Sequence, residues 1–471
     1  MNPNFPSEFC NQMAELLDAP EYDRFLSAMS AETPVSVRLN PVKRTAFDLG
    51  WSDGVRVSAV PWCAEGSYLD ERPAFTFDPL FHAGCYYVQE ASSMFLEQVI
   101  RRYVSGSVLA LDLCAAPGGK STHLRSLLDK DSLLVANEVI RPRAQVLVEN
   151  LVKWGYAGTV VTHNDPADFT EPLTEAFDLM VVDAPCSGEG MFRKDEGAVS
   201  EWSRANVQLC QERQRRILSD IWPCLRPGGI LVYSTCTFNR EEDEDNVQWL
   251  VDTFQAEPLP VEVPGEWGVT TDLTGRGLPV YRFLPHRTAG EGFFLCAVRK
   301  PGDEPARTYI PKKCKQTPRR QEIPAEVKRW VALSDDCVWQ QTEVGATALP
   351  TSWAGLIAYL QANLRVSYAG IEVAVLKGKD WMPAHGLAMS TACRTDAFAC
   401  CEVDQSVAWA YLRREALTLP AGIPRGYVLL TYHRVPLGFV KNLGPRANNL
   451  YPHEWRIRSP YAPDVLSSVL R

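Results

Sequence analysis

The sequence predicts an α/β protein built on a doubly wound parallel sheet, with a small α+β unit before it and a mainly β module after it. Three observations carry this prediction. Between residues 107 and 254 short apolar runs alternate with helical stretches, the pattern of successive βα units. The runs are nearly continuous in apolar residues, as in Phe177-Asp178-Leu179-Met180-Val181-Val182, which marks strands buried on both faces. Each run ends in a cluster of Gly, Pro, Asp or Cys, so reactive side chains gather at the carboxyl rim, where open α/β sheets bind ligands.

Composition sets the outer limits. A chain of 471 residues is long enough for two or three domains with a full core. No apolar stretch reaches the ~18 residues needed to span a bilayer, and Met1–Glu15 lacks a basic segment followed by a hydrophobic one. The expectation is a cytoplasmic monomer without a membrane partner. The 14 cysteines form no C-x-x-C pair, and Cys400 and Cys401 are adjacent, so neither a metal site nor a disulfide framework is expected. A net charge of −9 argues against nucleic-acid binding over the whole surface but leaves room for a local basic groove.

In chain order, residues 1–85 combine helical patterns at Phe9–Leu17 and Tyr22–Met29 with a strand-like stretch Val35–Asn40, and predict the accessory α+β unit. Ala91–Arg102 predicts a helix opening the main domain, residues 86–300. There the predicted order is strand Val108–Cys114, helix Ser121–Leu128, strand Ser132–Asn137, helix Arg143–Lys153 and strand Thr159–His163. Strand Phe177–Asp183, a long helix near Ala205–Leu225, strand Ile230–Ser234 and helix Glu241–Phe254 follow. Tyr281–Leu284 and Gly292–Val298, separated by a short gap, predict an antiparallel pair at one edge. Residues 301–325, rich in Pro, Lys and Arg, predict a basic linker. In residues 326–471, short strands such as Ile371–Leu376 and Gly426–His433 surround a helix at Ser406–Leu417, and predict the mainly β module.

The first predicted strand leads into Leu113-Cys114-Ala115-Ala116-Pro117-Gly118-Gly119-Lys120 and then a helix. Gly118 and Gly119 let a ligand approach a helix N-terminus, whose amides favour an anionic group. A P-loop ending in Gly119-Lys120-Ser121 needs Gly where Cys114 stands, and the G-x-G-x-x-G fingerprint is absent. The loop therefore suits a ligand bearing a carboxylate. Glu138 ends the second strand at the separation from Gly118 where an acid meets ribose hydroxyls, and Asp165 ends the third, placed to accept from an adenine amino group. Either acid alone is better read as a helix cap or a solvated turn acid. Together on successive strand ends they suit S-adenosylmethionine.

Two thiols stand on the same rim: Cys186 in Asp183-Ala184-Pro185-Cys186, and Cys236 in Ser234-Thr235-Cys236. Thiols beside a methyl donor suggest attack on C6 of a cytosine, which makes C5 nucleophilic. Asp183 is placed to stabilise N3 of the adduct, and Lys194 or Lys120 to favour a thiolate. An amine methyltransferase would instead carry Asn or Asp followed by Pro-Pro and an aromatic, where this chain has Ala184 and Cys186. Chemistry alone leaves open which thiol attacks.

Four blocks, D-L-C-A-A-P-G-G-K, D-A-P-C-S-G-E-G, L-R-P-G-G-I-L-V-Y-S-T-C-T and G-E-G-F-F, resemble the Nop/Sun family of RNA cytosine-5 methyltransferases over roughly residues 85–300. Tyr87–Ser93 and Val37–Lys43 extend the resemblance. The layout is similar to the RsmF type, which acts on small-subunit (16S) ribosomal RNA and ends in a PUA-like module, here closing at Gly438–Asn442. The resemblance implies a Rossmann-like class I S-adenosylmethionine-dependent methyltransferase sheet. It implies Cys236 as the thiol that attacks C6 and Cys186 as the one that promotes release. Cofactor roles carry over to Cys114, Ala115, Ala116, Pro117, Gly118, Gly119, Lys120, Glu138, Arg143, Asp165 and Asp183, with ribosomal RNA or the small subunit as partner. At Arg193-Lys194-Asp195-Glu196 the chain departs from the family, which has Pro after the Asp. The alternatives are a tRNA or 23S enzyme of the same chemistry, a DNA cytosine-5 enzyme that would attack through Cys186, and a non-catalytic assembly factor, which would have lost a thiol or Asp183.

Overall fold

The computed structural model describes residues 5–302, 323–332, 336–459 and 468–471. Its centre is a 9-stranded sheet. The strand order is Glu257–Pro258, Phe293–Arg299, Leu225–Thr235, Phe177–Asp183, Leu109–Asp112, Leu133–Asn137, Thr159–Thr162, Val366–Ala369, with Val280–Phe283 paired to Phe293–Arg299. The five strands from Leu225–Thr235 to Thr159–Thr162 are parallel. The chain winds outward from Leu109–Asp112 first to one side and then to the other, so its crossover point falls between that strand and Phe177–Asp183. Ligands enter such sheets there.

The apolar runs become strands because both faces are covered. Phe177, Met180 and Val182 pack with Ile217, Leu218 and Leu250 of the helices Arg204–Ile221 and Glu244–Phe254. Leu179 and Val181, pointing the other way, pack with Leu96, Val99 and Leu124 of the helices Leu96–Tyr103 and Gly119–Leu127. The expected antiparallel pair is present, and Phe293–Arg299 also runs antiparallel to Leu225–Thr235. Some boundaries move. Expected helix Ala91–Arg102 starts as a 3-10 turn, Ser92–Phe95, where the Glu90 carboxylate accepts from the Ser92 and Ser93 amides at 3.0 and 2.9 Å. The helix expected to run to Leu417 ends at Leu412, because Arg414 turns to a left-handed φ of 62°.

The N-terminal unit is split between two neighbours. Helices Ser7–Leu16 and Ala19–Met29 lay Phe9, Met13 and Phe25 against Phe192, Trp202 and Phe238 beside the thiol loops. The sheet Val57–Ala59, Gly66–Leu69, Val35–Leu39, Tyr86–Val88 instead shares a core with Tyr411, Val428 and Val440 of the C-terminal region. The Val37–Lys43 block explains the seam. Arg38 Nη2 donates to Thr122 Oγ1 at 2.6 Å, and Lys43 Nζ donates to the Ala83 and Lys153 carbonyls at 2.6 Å each. These buried cations stitch the N-terminal unit to the catalytic helices.

The C-terminal region contains two sheets among its described residues, built from Cys337–Gln341, Gly345–Pro350, Ile371–Lys377 and Asp380–Pro383, and from Ala399–Glu402, Gly426–Tyr432, Val435–Asn442 and Ala447–Asn449. Between strands Gly345–Pro350 and Ile371–Lys377 of the first sheet lie helix Ala354–Asn363, which joins the catalytic core through Leu356, Ile357 and Leu360, and strand Val366–Ala369. Most of the expected basic linker, residues 303–322, lies outside the described residues. No helix among the described residues is long and apolar enough to cross a membrane.

Candidate active site

Strands Phe177–Asp183 and Leu225–Thr235 run side by side with Asp183 opposite Ser234, so the turns that follow leave the sheet together. Cys186 Sγ lies 3.1 Å from Cys236 Sγ, and both residues are half-buried. Two thiols in contact do not both ionise at neutral pH, since the second charge would meet the first. The hydrogen bond to Cys236, with burial added, pushes the Cys186 thiol well above the ordinary range, so Cys186 keeps its proton.

Asp183 takes Ser234 Oγ on one oxygen at 2.7 Å and Lys120 Nζ on the other at 2.8 Å. Burial pushes the Lys120 ammonium down, but Asp183, Asp112 and the Cys236 thiol outweigh it and hold its pKa above the usual lysine value. Lys120 also sits 4.9 Å over the Phe293 ring. It is therefore a fixed positive charge facing both the acid and the thiol. Lys194, the other cation expected near the thiols, is paired with Glu291 instead.

Two carboxylates that sequence reasoning missed hold the thiol loops. Glu189, with no exposed surface, accepts from Thr237 Oγ1 (2.6 Å), Phe238 N (2.7 Å), Asn239 N (2.9 Å), Trp202 Nε1 (3.0 Å) and Gln12 Nε2 (2.9 Å). It ties the Cys186 loop to the residues just after Cys236. Gly190 N donates to Cys236 O at 2.9 Å, and a Cβ at Gly190 would lie 3.0 Å from that oxygen, which is why glycine stands there. Glu242 accepts from Ser187 N at 3.0 Å and Gln214 Nε2 at 2.6 Å, and burial raises its pKa to about 7. In the run Glu241–Glu244, at the start of the helix expected over Glu241–Phe254, Glu242, Asp243 and Glu244 are all buried, the last two against Arg282. The signal available was Glu189 itself, an acid between two glycines three residues after Cys186.

Beside this rim opens a cleft of about 160 Å³ lined by Asp112, Cys114, Ala115, Ala116, Pro117, Gly119, Lys120 and Asp183. Tyr87, Gln89, Glu90 and Ser93 close it from the N-terminal side, a contribution that sequence reasoning did not assign. Gly118 begins helix Gly119–Leu127 at φ 120°, a backbone that side chains rarely adopt, with no side chain capping the free amides. Asp112 Oδ2 accepts from Ser121 Oγ at 2.6 Å, while the buried Oδ1 has no partner. Burial pushes Asp112 up to about 7, against the Ser121 hydrogen bond and with the Asp183 charge adding to the rise.

The remaining expected cofactor residues sit on the next strand ends, outside the cleft lining. Buried Glu138 accepts from Ile140 N at 2.9 Å and faces Arg143 Nη1 at 3.3 Å, and Arg143 Nη2 donates to Ala116 O at 3.0 Å. This pair braces the loop from behind. Asp165 caps the turn Pro166–Phe169 by accepting from Ala167 N at 3.2 Å. A larger groove of about 840 Å³ between that turn and helix Ala354–Asn363 is lined by neither thiol. Elsewhere, Cys63, Glu97 and His123 bring three donor atoms together in the interior. That set is closed by hydrogen bonds, Glu97 taking His123 Nε2 at 3.2 Å and Arg101 Nε at 2.7 Å.

A doubly wound sheet with a glycine loop after its first strand and a reactive rim after its fourth and fifth defines a Rossmann-like methyltransferase. Residues 105–299 match the 16S rRNA methyltransferase RsmB/F family, residues 5–91 the N-terminal domain of 16S rRNA methyltransferase RsmF, and residues 398–457 the methyltransferase RsmF PUA domain. The chain belongs to the RsmF-type 16S ribosomal RNA methyltransferases, enzymes that use S-adenosylmethionine. It is 32% identical over 475 residues to ribosomal RNA small subunit methyltransferase F of Salmonella paratyphi A, covering 96% of each chain. The protein of the same name from Erwinia tasmaniensis is 31% identical over 479 residues, again with 96% of each chain covered. Among solved structures, a methyltransferase homolog protein from Pyrococcus horikoshii aligns at 30% identity with a TM-score of 0.53, over 63% of this chain and 96% of that one.

Proposed function

We propose that this enzyme methylates C5 of a cytosine in 16S ribosomal RNA, with Cys236 as nucleophile and Cys186 as the thiol that assists release. The observation that carries this reading is the 3.1 Å contact between the two sulfurs on the rim shared with Asp183 and Lys120. Cys186 keeps its proton, and Lys120 carries a positive charge facing Cys236, placed to stabilise the nucleophile as it attacks. The Cys236 sulfur forms a bond to C6 as the C5–C6 π electrons move into the ring, which gives C5 nucleophilic character. N3 takes up a proton from solvent as the ring electrons reach it, and Asp183 accepts a hydrogen bond from that N3–H and so favours the adduct. S-adenosylmethionine supplies the electrophilic methyl group. A general base takes the C5 proton, the electron pair restores C5=C6, N3 gives back its proton, and Cys236 departs as a thiolate to which the Cys186 S–H donates a hydrogen bond.

The cleft fits the cofactor on its own terms. The unpartnered Asp112 Oδ1 is a buried acceptor suited to an ammonium group, and the free amides of helix Gly119–Leu127 suit a carboxylate. Asp183 and Lys120 belong to both the cleft and the thiol rim, which brings donor and base together. Glu138 and Asp165 would meet the ribose and the adenine. Free thiols throughout the described residues support a reducing, cytoplasmic setting.

The test is one denaturing gel of wild type, Cys186→Ala, Cys236→Ala and the double variant, incubated with 16S RNA and S-adenosylmethionine. Cys186→Ala is expected to accumulate a covalent protein–RNA adduct carrying methylated cytosine, and the adduct should vanish in the double variant. An adduct trapped by Cys236→Ala instead would reverse the roles. Bisulfite sequencing of ribosomal RNA from a deletion strain identifies the target, and loss of a 23S or tRNA signal in place of a 16S one would overturn the substrate.

A further inference from the structure

Strand Val366–Ala369 belongs to the C-terminal region but completes the catalytic sheet, pairing antiparallel with Thr159–Thr162 in the register Val366↔Thr162. That register sets Arg365 opposite residues 163 and 164, on the carboxyl rim where Asp165 stands. We propose that Arg365 is a positioning residue of the cofactor cleft, holding from the C-terminal region the turn that presents Asp165. This rests on the reading of Asp165 as a cofactor contact.

The contacts form a continuous chain. His163 N donates to Arg365 O at 3.0 Å, and Asn164 Oδ1 accepts from Arg365 N at 3.1 Å and Nε at 3.3 Å. Arg365 Nη2 donates to Asp168 Oδ2 at 2.7 Å, and the same oxygen accepts from Asp165 N at 3.2 Å, closing the capping box around Asp165. One guanidinium thus holds both the residue before Asp165 and the acid that clamps its amide. Asn164 carries the connection inward. Its N–H donates to Asn137 Oδ1 at 2.9 Å, its carbonyl accepts from Asn137 Nδ2 at 3.0 Å, and Asn137 Nδ2 also reaches Leu113 O at 3.1 Å. Ala115 N donates to Asn137 O at 2.8 Å. Arg365 is therefore linked through two asparagines to the loop Leu113–Pro117.

The role is directional and only weakly stabilising. The side chains of Arg365 and Asp168 are 61% and 43% exposed, so water screens their attraction and the pair adds little to folding. The docking itself rests on buried Ile357 and Leu360, which Arg365 does not replace. What Arg365 alone supplies is a planar fork that reaches two acceptors at once, which lysine cannot reproduce.

The experiment measures S-adenosylhomocysteine binding to the full chain by titration calorimetry, with thermal melts and steady-state kinetics on the same samples. Arg365→Ala and Asp168→Asn are expected to weaken binding about threefold to tenfold, Arg365→Lys less, while kcat at saturating cofactor stays within about twofold and the KM for RNA is unchanged. Asp165→Ala serves as the reference. Unchanged binding in Arg365→Ala and Asp168→Asn, with Asp165→Ala weakened, would refute the role of Arg365. Unchanged binding in all three would refute the cofactor reading of Asp165 and the proposal with it. A raised KM for RNA, or a lowered melting temperature, without loss of cofactor affinity would mark an RNA contact or a purely structural pair, and would equally overturn it.

Discussion

The two ends of the catalytic rim are held by opposite means. At the thiol end, Glu189 is fully buried among five side-chain and backbone partners, and Arg282 is buried against Asp243 and Glu244. At the Asp165 end the clamp is the half-exposed pair of Arg365 and Asp168. Buried charged networks are rigid because each member left unpaired would cost several kcal/mol, about 3–5 when one partner is removed. Exposed pairs open and close cheaply. In the mechanism proposed above, the thiols stay within bond-making distance of one ring carbon through addition and release, whereas the cofactor enters and leaves in every turnover.

Breaking the thiol end should have the largest effect. Cys236→Ser is expected to abolish methyl transfer, because an alkoxide is far harder to form at neutral pH than a thiolate, while calorimetry shows cofactor affinity within about twofold of wild type. Near-normal turnover would remove Cys236 from the mechanism.

Asp183→Asn should lower the single-turnover rate by about two orders of magnitude or more, the scale of removing a positioned electrostatic group. The loss of the Lys120 ion pair adds to this. A loss below about threefold at saturating substrates would exclude the role.

Glu189→Gln sharpens the comparison, since it keeps the volume of the side chain but turns an acceptor edge into an amide facing donors. Denaturant unfolding should show about 3 kcal/mol of destabilisation, with a single-turnover rate about tenfold lower in the folded enzyme. A full rate together with full stability would show that the network is not what fixes the thiol loops.

The smallest effect is a pH dependence at the cofactor cleft. Burial lifts Asp112 to about 7, so below that pH the group is protonated and cannot accept from an ammonium. Cofactor affinity should rise as pH increases from 6 towards 7, by at most about tenfold per unit, and level off above it. Asp112→Asn should flatten the profile.

Much of this was legible beforehand because its signals are local. The parallel strands followed from unbroken apolar runs, and the tight turn into helix Gly119–Leu127 from Gly118 and Gly119. The two thiols stood out because each follows a strand end, and the resemblance then implied a role for each. The burial of Glu242, Asp243 and Glu244 was not legible, since a run of acids looks the same whether it faces water or Arg282, which lies further along the chain. Lys194 and Lys120 were equal candidates in sequence. Only the partners found in space, Glu291 for one and Asp183 for the other, separate them.

By itself the sequence determined which residues form strands, which loops carry glycines, thiols and acids, and that these loops share one rim, because hydrophobic periodicity and chain punctuation act over a few neighbours. Tertiary structure alone decided that Cys186 and Cys236, 50 positions apart, meet at 3.1 Å. It alone decided that the N-terminal helices brace the thiol loops through Gln12, and that Val366–Ala369 becomes an edge strand of the catalytic sheet. A short strand such as Val366-Ser367-Tyr368-Ala369 has no stability of its own and forms only where another edge offers unpaired backbone groups. That edge lies about two hundred residues away in the chain, beyond the reach of any local pattern.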